Sequence, residues 1–307
     1  MFRFKMPDTT LPITEQAIIL RDQFDSFIKS DAISDILSIL DTDLNNIREK
    51  YDARRQSNGV VRELHDIKKN KAIEKYRYEL YPLFTELGFI NINKPIKKTH
   101  SHIIVLGGSY SACHQRTSYV HNIIDDSTLY IDGLACYRPI NPVERKNLPH
   151  TLTCDSEFGA MTEAFINAFS LESADVHEEF DGDRNINNIS NIRTFITERT
   201  PKYRIMAAPS AEPDKRRANT ADTLKFYMDN TDISVNSTII AVTDNIYCNR
   251  QFIQLVYEMF KANTTFNLDV VGYRCGDNVE TADNYKVNQH VQELIATINW
   301  INKFNTI

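Results

Sequence analysis

The fold of this chain is decided by the stretch HIIVLGGSY, which runs from His102 to Tyr110. Its apolar residues predict a buried strand, and the abrupt change to Gly107, Gly108 and Ser109 predicts the end of that strand. A helical pattern begins directly afterwards. A strand that turns through glycines into a helix leaves backbone N–H groups available to an anion. The same turn also occurs in α/β proteins that bind nothing there, so a purely structural turn is the alternative.

Working outward from this stretch, short apolar strands alternate with helical patterns along the rest of the chain. The predicted strands cover residues 103–106, 128–131, 203–207, 237–243 and 268–271. The predicted helices cover residues 110–124, 157–169, 220–228, 249–261 and 283–302. This alternation predicts an α/β fold with a Rossmann-like, mostly parallel sheet and helices on both faces.

The residues that precede this region have a different pattern. Helical periodicity runs from about residue 14 to residue 87, and no strand pattern interrupts it. Asp31 and Asp41 are expected at helix starts, and Gly59 and Gly88 at helix ends. We therefore expect an N-terminal helical segment over residues 1–95 and an α/β domain over residues 96–307. The helical segment could dock a protein partner or simply cover the sheet.

Composition narrows the classes of function. The chain has 307 residues, of which 42% are hydrophobic and 25% are charged, as in an ordinary globular protein. The net charge of −6 argues against binding to nucleic acid or to an anionic membrane. No run approaches the roughly 20 apolar residues that span a bilayer, and the first residues lack the apolar core of a signal peptide. We expect a soluble, cytoplasmic protein, with delivery by a leaderless secretion route as the alternative.

Cysteine and histidine spacing gives no sign of a metal centre. The five cysteines are scattered without a C-x-x-C pair, which predicts reduced thiols rather than disulfides or a zinc site. The eight histidines offer no H-E-x-x-H spacing. We predict no metal.

The candidate site lies where polar residues follow the predicted strands. In a doubly wound sheet, ligands bind beyond the carboxyl ends of the strands, where the strand order changes direction. The candidate ligand-binding residues are Gly107, Gly108, Ser109, Arg116, Asn219, Thr220, Thr243, Asp244, Tyr247 and Arg250. The candidate catalytic bases are Glu157, Glu212 and Asp132. Structural readings stay open for several of these residues, because Asn219 and Thr220 equally suit a helix N-cap and Glu157 suits a helix N-terminus.

These motifs, taken in order, resemble the YdcF/SanA/ElyC family of bacterial proteins. The shared pattern comprises Val105-Leu106-Gly107-Gly108, Arg116, a strand ending near Gly133, Glu157, Glu212, Asn219-Thr220, Val242-Thr243 and Arg250. The resemblance covers residues 97–271. It implies a Rossmann-like domain with a nucleotide-like or phosphorylated ligand. A member of the family is reported to bind S-adenosylmethionine, and others are tied to envelope lipid-carrier metabolism.

Two departures from the family pattern affect the mechanism. Tyr247 stands where the family has a histidine, and Leu134 replaces the second glycine after the second strand. Without that histidine the most obvious general acid or base is missing, so the family mechanism does not transfer directly. The first strand is also not followed by G-x-G-x-x-G, which argues against a dehydrogenase that uses NAD or FAD.

From these observations we expect an enzyme, a hydrolase or a transferase, that acts on a phosphate-containing or nucleotide-containing substrate. The N–H groups of Gly108 and Ser109 would hold the anion, Arg116 and Arg250 would add charge-assisted hydrogen bonds, and a carboxylate would activate water or an acceptor. One alternative is a non-catalytic protein that binds a nucleotide or S-adenosylmethionine. Another is a hydrolase that removes ADP-ribose from a protein partner.

Overall fold

The computed structural model describes residues 1–53, 70–91, 93–97, 99–146, 154–182, 185–273 and 287–307. Seven strands form one sheet: β1 (His102–Leu106), β2 (Tyr130–Ala135), β3 (Asp175–Asp181), β4 (Ser190–Ile196), β5 (Lys202–Ala207), β6 (Thr238–Asp244) and β7 (Asn267–Tyr273). Their order across the sheet is β3-β4-β5-β2-β1-β6-β7. Strands β5, β2, β1, β6 and β7 are parallel to one another, whereas β4 runs antiparallel to both β3 and β5.

Helices surround this sheet and fill the N-terminal part of the chain. They are α1 (Ile13–Ile28), α2 (Asp31–Ile39), α3 (Ile47–Tyr51), α4 (Lys71–Glu74), α5 (Arg77–Glu86), α6 (Tyr110–Val120), α7 (Pro142–Arg145), α8 (Glu157–Phe169), α9 (Thr220–Asp229), α10 (Cys248–Lys261) and α11 (Val287–Phe304). The predicted Rossmann-like α/β fold, with a mostly parallel sheet and a preceding helical segment, is confirmed. Among the described residues, no helix is both long enough and apolar enough to cross a membrane.

The strand order places a topological switch between β1 and β6. From β1 the chain passes through β2 to the far edge of the sheet at β3 and returns inward through β4 to β5, beside β2. It then crosses to β6 and β7 on the other side of β1. Helices α8 and α9 cover opposite faces of the sheet. Ile103 belongs to the same core cluster as Phe165 of α8. The side chain of the neighbouring residue, His102, is instead hydrogen-bonded through Nδ1 to the hydroxyl of Tyr227 in α9. Successive side chains of a strand point to opposite faces, so the two helices must lie on different sides.

The chain forms two compact units. One comprises residues 1–93, 245–254 and 274–307, and the other comprises residues 94–244 and 255–273. The whole sheet lies in the second unit. The domain boundary expected after residue 95 stays a prediction.

The first unit has an aromatic core. Phe24 of α1 is fully buried and packs edge-on against Phe4 and Phe304, with ring centroids 5.0 and 5.2 Å away. Asp31 begins α2 as expected, after the N-cap Ser30. The prediction for Asp41 is wrong, because this residue follows the end of α2 and adopts a left-handed conformation with φ of 49°. A short polar side chain tolerates that conformation better than most.

Helix α5 is followed by Gly88, as the sequence predicts. Its φ is 80°, a left-handed conformation that favours glycine, and a Cβ at this position would collide with the carbonyl oxygen of Phe2. The other glycine expected at a helix end, Gly59, lies outside the described residues.

The largest differences from the sequence-based strands occur at β2, β3 and β4. Strand β2 was expected to end at Ile131 but continues to Ala135, because the buried carboxylate of Asp132 is paired with Arg204 of the neighbouring strand β5. An internal ion pair of this kind lets a charged residue occupy a central strand. Strands β3 and β4 were not predicted, since β3 is exposed along its whole length and rich in acidic residues.

Candidate functional site

The glycine loop after β1 lies at the switch point, where a doubly wound sheet binds ligands. The N–H of Gly107 donates to the carbonyl oxygen of Leu134, at 2.8 Å, and so joins the ends of β1 and β2. A Cβ at Gly107 would lie 2.8 Å from that oxygen and would collide with the carboxylate of Glu157. Glycine is therefore required here, because the carboxylate packs directly against the backbone.

Helix α6 begins immediately after this loop. Ser109 is its N-cap, and the Ser109 hydroxyl oxygen accepts a hydrogen bond from the N–H of Ala112 at 3.2 Å. The next N–H, that of Tyr110, donates to the carboxylate of Glu144 in α7. No acceptor for the N–H groups of Gly108 and Ser109 is found within the part of the chain that the structure describes. Two adjacent donors at a helix start form the arrangement that binds phosphate in many proteins.

Arg116 of α6 forms hydrogen bonds with the backbone of the glycine loop and of β1. Its side chain is buried, and Nη1 donates to the carbonyl oxygens of Leu106 at 2.6 Å and of Gly107 at 2.5 Å. Its Nε donates to Asp244 at the end of β6, at 2.9 Å. Arg116 therefore connects the carboxyl ends of the two strands that flank the switch point. These contacts position the loop, and a direct contact of Arg116 with a ligand stays a prediction.

Glu157 is the candidate base that lies against the loop. It is the first residue of α8, it is buried, and its Oε2 accepts a hydrogen bond of 2.9 Å from Nε of Arg138. Arg138 also donates from Nη2 to the carbonyl oxygen of Gly108 at 2.6 Å. This geometry fixes the orientation of the carboxylate, which packs against Gly107 of the loop.

The other two candidate bases have different surroundings. Asp132 lies inside β2, in register with Ile104, and its two carboxylate oxygens accept hydrogen bonds of 2.6 and 3.1 Å from Arg204. Burial raises the pKa of Asp132, and the guanidinium of Arg204 opposes that effect. Glu212 is on the surface, where hydrogen bonds from Lys215 and Arg216 lower its pKa. Arg204 therefore accounts for the position of Asp132, and Lys215 with Arg216 accounts for that of Glu212.

The loop after β5 uses its polar residues to start a helix. Asn219 is the N-cap of α9, and its side chain accepts hydrogen bonds from the N–H groups of Ala221 and Asp222. The carboxylate of Asp222 accepts in return from the N–H of Asn219, at 2.8 Å, which completes a capping box. Thr220 is the first residue of that helix. The N-cap role is confirmed for Asn219 but not for Thr220, and a ligand contact by either residue stays a prediction.

The end of β6 carries two buried polar residues. Asp244 is committed to its ion pair with Arg116. Thr243 is fully buried, and its hydroxyl has no hydrogen-bond partner among the described residues. Because neighbouring strand residues face opposite sides of a sheet, these two side chains point away from each other.

Tyr247 and Arg250 belong to the first compact unit, whereas the glycine loop belongs to the second. Arg250 lies near the start of α10, where a positive charge opposes the helix dipole and needs a nearby anion. The buried carboxylate of Glu293 in α11 supplies that anion, at 2.5 Å from Nε of Arg250. The guanidinium also lies 5.3 Å from the ring centroid of Tyr247. A structural role therefore explains Arg250 without a ligand.

Arg138 and Glu144 were not predicted as site residues, although both follow β2 and hydrogen-bond to the backbone at the start of α6. Asn191, the second residue of β4, was not predicted either, and its Nδ2 donates to the hydroxyl of Tyr137 at 2.9 Å. Asn191 pairs with Ala207, the last residue of β5. Because β4 runs antiparallel to β5, the first residues of β4 lie at the edge of the sheet where the parallel strands end. Their position after strand β2 was the available signal for Tyr137, Arg138 and Glu144.

The thiols near the site are poor candidates for nucleophiles. Cys113 of α6 and Cys136 after β2 are buried. Burial, together with the negative charge of Glu157, raises the pKa of each thiol to about 12. Since the thiolate is the nucleophilic form, this environment keeps both cysteines unreactive at neutral pH.

Comparison of the chain with protein-family models, curated proteins and solved structures found no match. Among the described residues, no group of three or more His, Cys, Asp or Glu side chains is arranged to hold a metal ion.

Proposed function

We propose that this chain is an enzyme, a hydrolase or a transferase, that acts on a phosphate-containing or nucleotide-containing substrate at the loop of residues 107–109. The observation that carries the proposal is the pair of N–H groups of Gly108 and Ser109, which have no acceptor among the described residues and lie at the switch point of the sheet. Backbone donors at a helix start favour an anion through both hydrogen bonds and the helix dipole.

In this mechanism the two N–H groups hold the anionic part of the substrate, and Glu157 acts as the general base. Arg138 donates to one carboxylate oxygen of Glu157 and thereby orients the other oxygen. A water molecule or an acceptor hydroxyl loses its proton to Glu157 as its oxygen bonds to the electrophilic atom of the substrate. The bond between that atom and the leaving group breaks at the same time, and the leaving group departs with the bonding electron pair. A positioned base contributes about 10²- to 10⁴-fold to such a step.

The assignment of Glu157 rests on its contact with the loop. Of the three carboxylates selected from the sequence, it is the one packed against Gly107. Asp132 is enclosed by Arg204 inside the sheet, and Glu212 is on the surface with Lys215 and Arg216. The proposal therefore gives Asp132 a role in stability and Glu212 a role in the loop after β5.

Ligand binding is tested by thermal shift against inorganic phosphate, ADP, ADP-ribose and S-adenosylmethionine. A ligand at about 100 times its Kd stabilises the native state by about 3 kcal/mol, which raises Tm by several degrees. If none of these probes changes Tm, the proposal is wrong.

Turnover is tested with the ligand that binds. We expect Glu157→Gln to retain binding and to lose about 10²- to 10⁴-fold in turnover, because the amide cannot accept the proton. Glu212→Gln is the matched control and keeps full activity. Equal activity of both variants would exclude Glu157 as the base, and binding without turnover in the unmodified protein would favour the non-catalytic alternative.

The predictions from the sequence about the ligand, the partner and the location are also part of this proposal. The resemblance to the YdcF/SanA/ElyC family supports a nucleotide-like ligand, with S-adenosylmethionine as one candidate. Three further predictions from the sequence are likewise proposals. The chain removes ADP-ribose from a protein partner, it docks a partner through its N-terminal helices, and it is cytoplasmic. Because Tyr247 stands in place of the family histidine, the base is sought among the carboxylates, and the contact with Gly107 selects Glu157.

A further inference from the structure

Strand β3 forms an open edge of the sheet. It is the last strand in the sheet order, and among the described residues it pairs only with β4. The pairing continues without interruption through seven residue pairs, from Asp175 with Ile196 to Asp181 with Ser190. All seven side chains of β3 are exposed. Strand edges are usually protected by charged side chains, Pro or a bulge. Strand β3 has neither Pro nor a bulge, and its charged residues are four carboxylates and a histidine.

The charge along this edge has predominantly one sign. Its sequence, DVHEEFD, contains four carboxylates and one histidine. Glu178 is paired with Arg193 of β4 at 3.1 Å, and Glu179 lies 3.5 Å from His177. The two terminal carboxylates, of Asp175 and Asp181, have no ion pair among the described residues. Negative charge is thus left uncompensated along the strand.

The same hairpin also exposes apolar side chains. Val176 and Phe180 are 47% and 59% exposed, and Ile186 and Ile196 are also exposed. Val176 and Phe180 share one face of β3, because they are four residues apart in a strand. The ring of Phe180 stands edge-on to Tyr137, with the centroids 6.5 Å apart. Exposed apolar side chains at alternate positions of an open edge strand can pack against the side chains of an added strand.

A second copy of this chain suits the edge less well than a basic segment does. If two β3 strands paired antiparallel over their full length, Val176 would face Phe180 and His177 would face Glu179, but Glu178 would face its own copy and Asp175 would face Asp181. Like charges directly opposite each other destabilise a strand pair. A partner that brings positive charge to these positions avoids that repulsion.

We propose that β3 is a docking surface for an extended basic segment of another protein, which adds to the sheet as an antiparallel strand. Its Lys or Arg residues would lie opposite the carboxylates, and its apolar residues would lie opposite Val176 and Phe180. Read from the residue opposite Asp181, the partner sequence is basic, apolar, basic, basic, any residue, apolar, basic. Backbone hydrogen bonds provide affinity in such complexes, and the alternating side chains provide specificity. This surface is independent of the loop that carries the proposed activity.

The experiment uses a fluorescent peptide of this pattern, built from Lys, Ile and one Thr, and measures anisotropy with the intact protein. We expect saturable binding that weakens as salt is added. Reversing two charges, in Glu179→Lys combined with Asp181→Lys, should weaken binding by about tenfold or more. The control, Asp126→Lys with Glu172→Lys, makes the same change in net charge at exposed positions outside the hairpin and should leave binding unchanged.

A second peptide tests whether the backbone takes part. N-methylation of alternate amides keeps the charge and the side chains but removes the hydrogen bonds of a strand, so binding should be lost. Equal binding of the methylated peptide would overturn strand addition. Equal weakening by both pairs of charge reversals would overturn a role for β3. Dimerisation through β3, detected by sedimentation and abolished by its charge reversal, would identify a second copy as the occupant and also overturn the proposal.

Discussion

Two buried carboxylates of this protein, those of Glu157 and Asp132, are each held by an arginine, yet they occupy very different places. Glu157 and Arg138 lie at the carboxyl ends of the strands, where Glu157 packs against Gly107 and Arg138 donates to the carbonyl oxygen of Gly108. Asp132 and Arg204 lie within two neighbouring strands, in a layer with His102 and Tyr227. The difference teaches that burial of an ion pair does not by itself indicate a functional site. A functional site is indicated instead by the position of the pair at the switch point, against a loop whose Gly108 and Ser109 N–H groups have no acceptor among the described residues.

The largest expected effect comes from breaking the pair inside the sheet. Asp132→Asn removes the charge that compensates Arg204, and we expect a loss of about 4 kcal/mol in the free energy of unfolding, because an arginine whose side chain is only 13% exposed is left without its counter-ion. Urea denaturation measures this loss.

The control for that change is the combined variant Asp132→Leu with Arg204→Met, which removes both charges and should recover most of the stability. Ligand binding at the loop should survive in this variant. If the Asp132 single variant were as stable as the unmodified protein, the pair would not support the sheet.

The second effect is a pH dependence that arises in the same interior layer. Burial, with the nearby charge of Arg204, lowers the pKa of His102 to about 4 in the folded protein. The unfolded chain binds this proton below about pH 6.5, whereas the folded protein does not until about pH 4. Stability is therefore lost as the pH falls through this window, by about 3 kcal/mol.

The variant His102→Gln tests this expectation, since glutamine does not titrate and can still form a hydrogen bond with Tyr227. Unfolding free energies at pH 7 and pH 4.5 should differ less in the variant than in the unmodified protein. The same pH dependence in both proteins would show that other groups cause the acid sensitivity.

The smallest effect on the free energy of unfolding is expected at the carboxyl ends of the strands. Arg138→Met should cost about 2 kcal/mol, because it removes hydrogen bonds to Glu157 and to the carbonyl oxygen of Gly108. Turnover should fall much more than stability, since the carboxylate loses the group that orients it. The comparison with Asp132 fails if turnover is unchanged in the folded Arg138→Met protein.

The parallel strands were predictable because their side chains are apolar and buried on both faces. The first predicted strand, residues 103–106, differs from β1 by one residue, and the helix predicted over residues 157–169 has the same bounds as α8. The hairpin of β3 and β4 was not predictable in this way, since its outer strand shows neither an apolar run nor the alternation of a half-buried strand. Its position in the sheet depends on pairing with β5, which no local pattern reveals.

The partners of the site residues were predictable only in part. Arg116 was selected from its position after the glycine loop, but the carbonyl oxygens and the carboxylate that it contacts were not foreseen. Asp132 was selected as a residue at a strand end, and its buried pairing with Arg204 instead extends the strand. In both cases the decisive partner is distant in sequence or lies on a neighbouring strand.

The sequence alone determined that short apolar strands alternate with helices and that a glycine loop follows the first strand, since burial and backbone freedom are local properties of the residues. The tertiary structure decided which carboxylate meets that loop. Strand order brings Arg138 and Glu157 to Gly107 and Gly108, while register pairs Asp132 with Arg204 inside the sheet. The physical reason is that buried charges take their partners from whichever elements pack against them, and packing is a property of the whole fold.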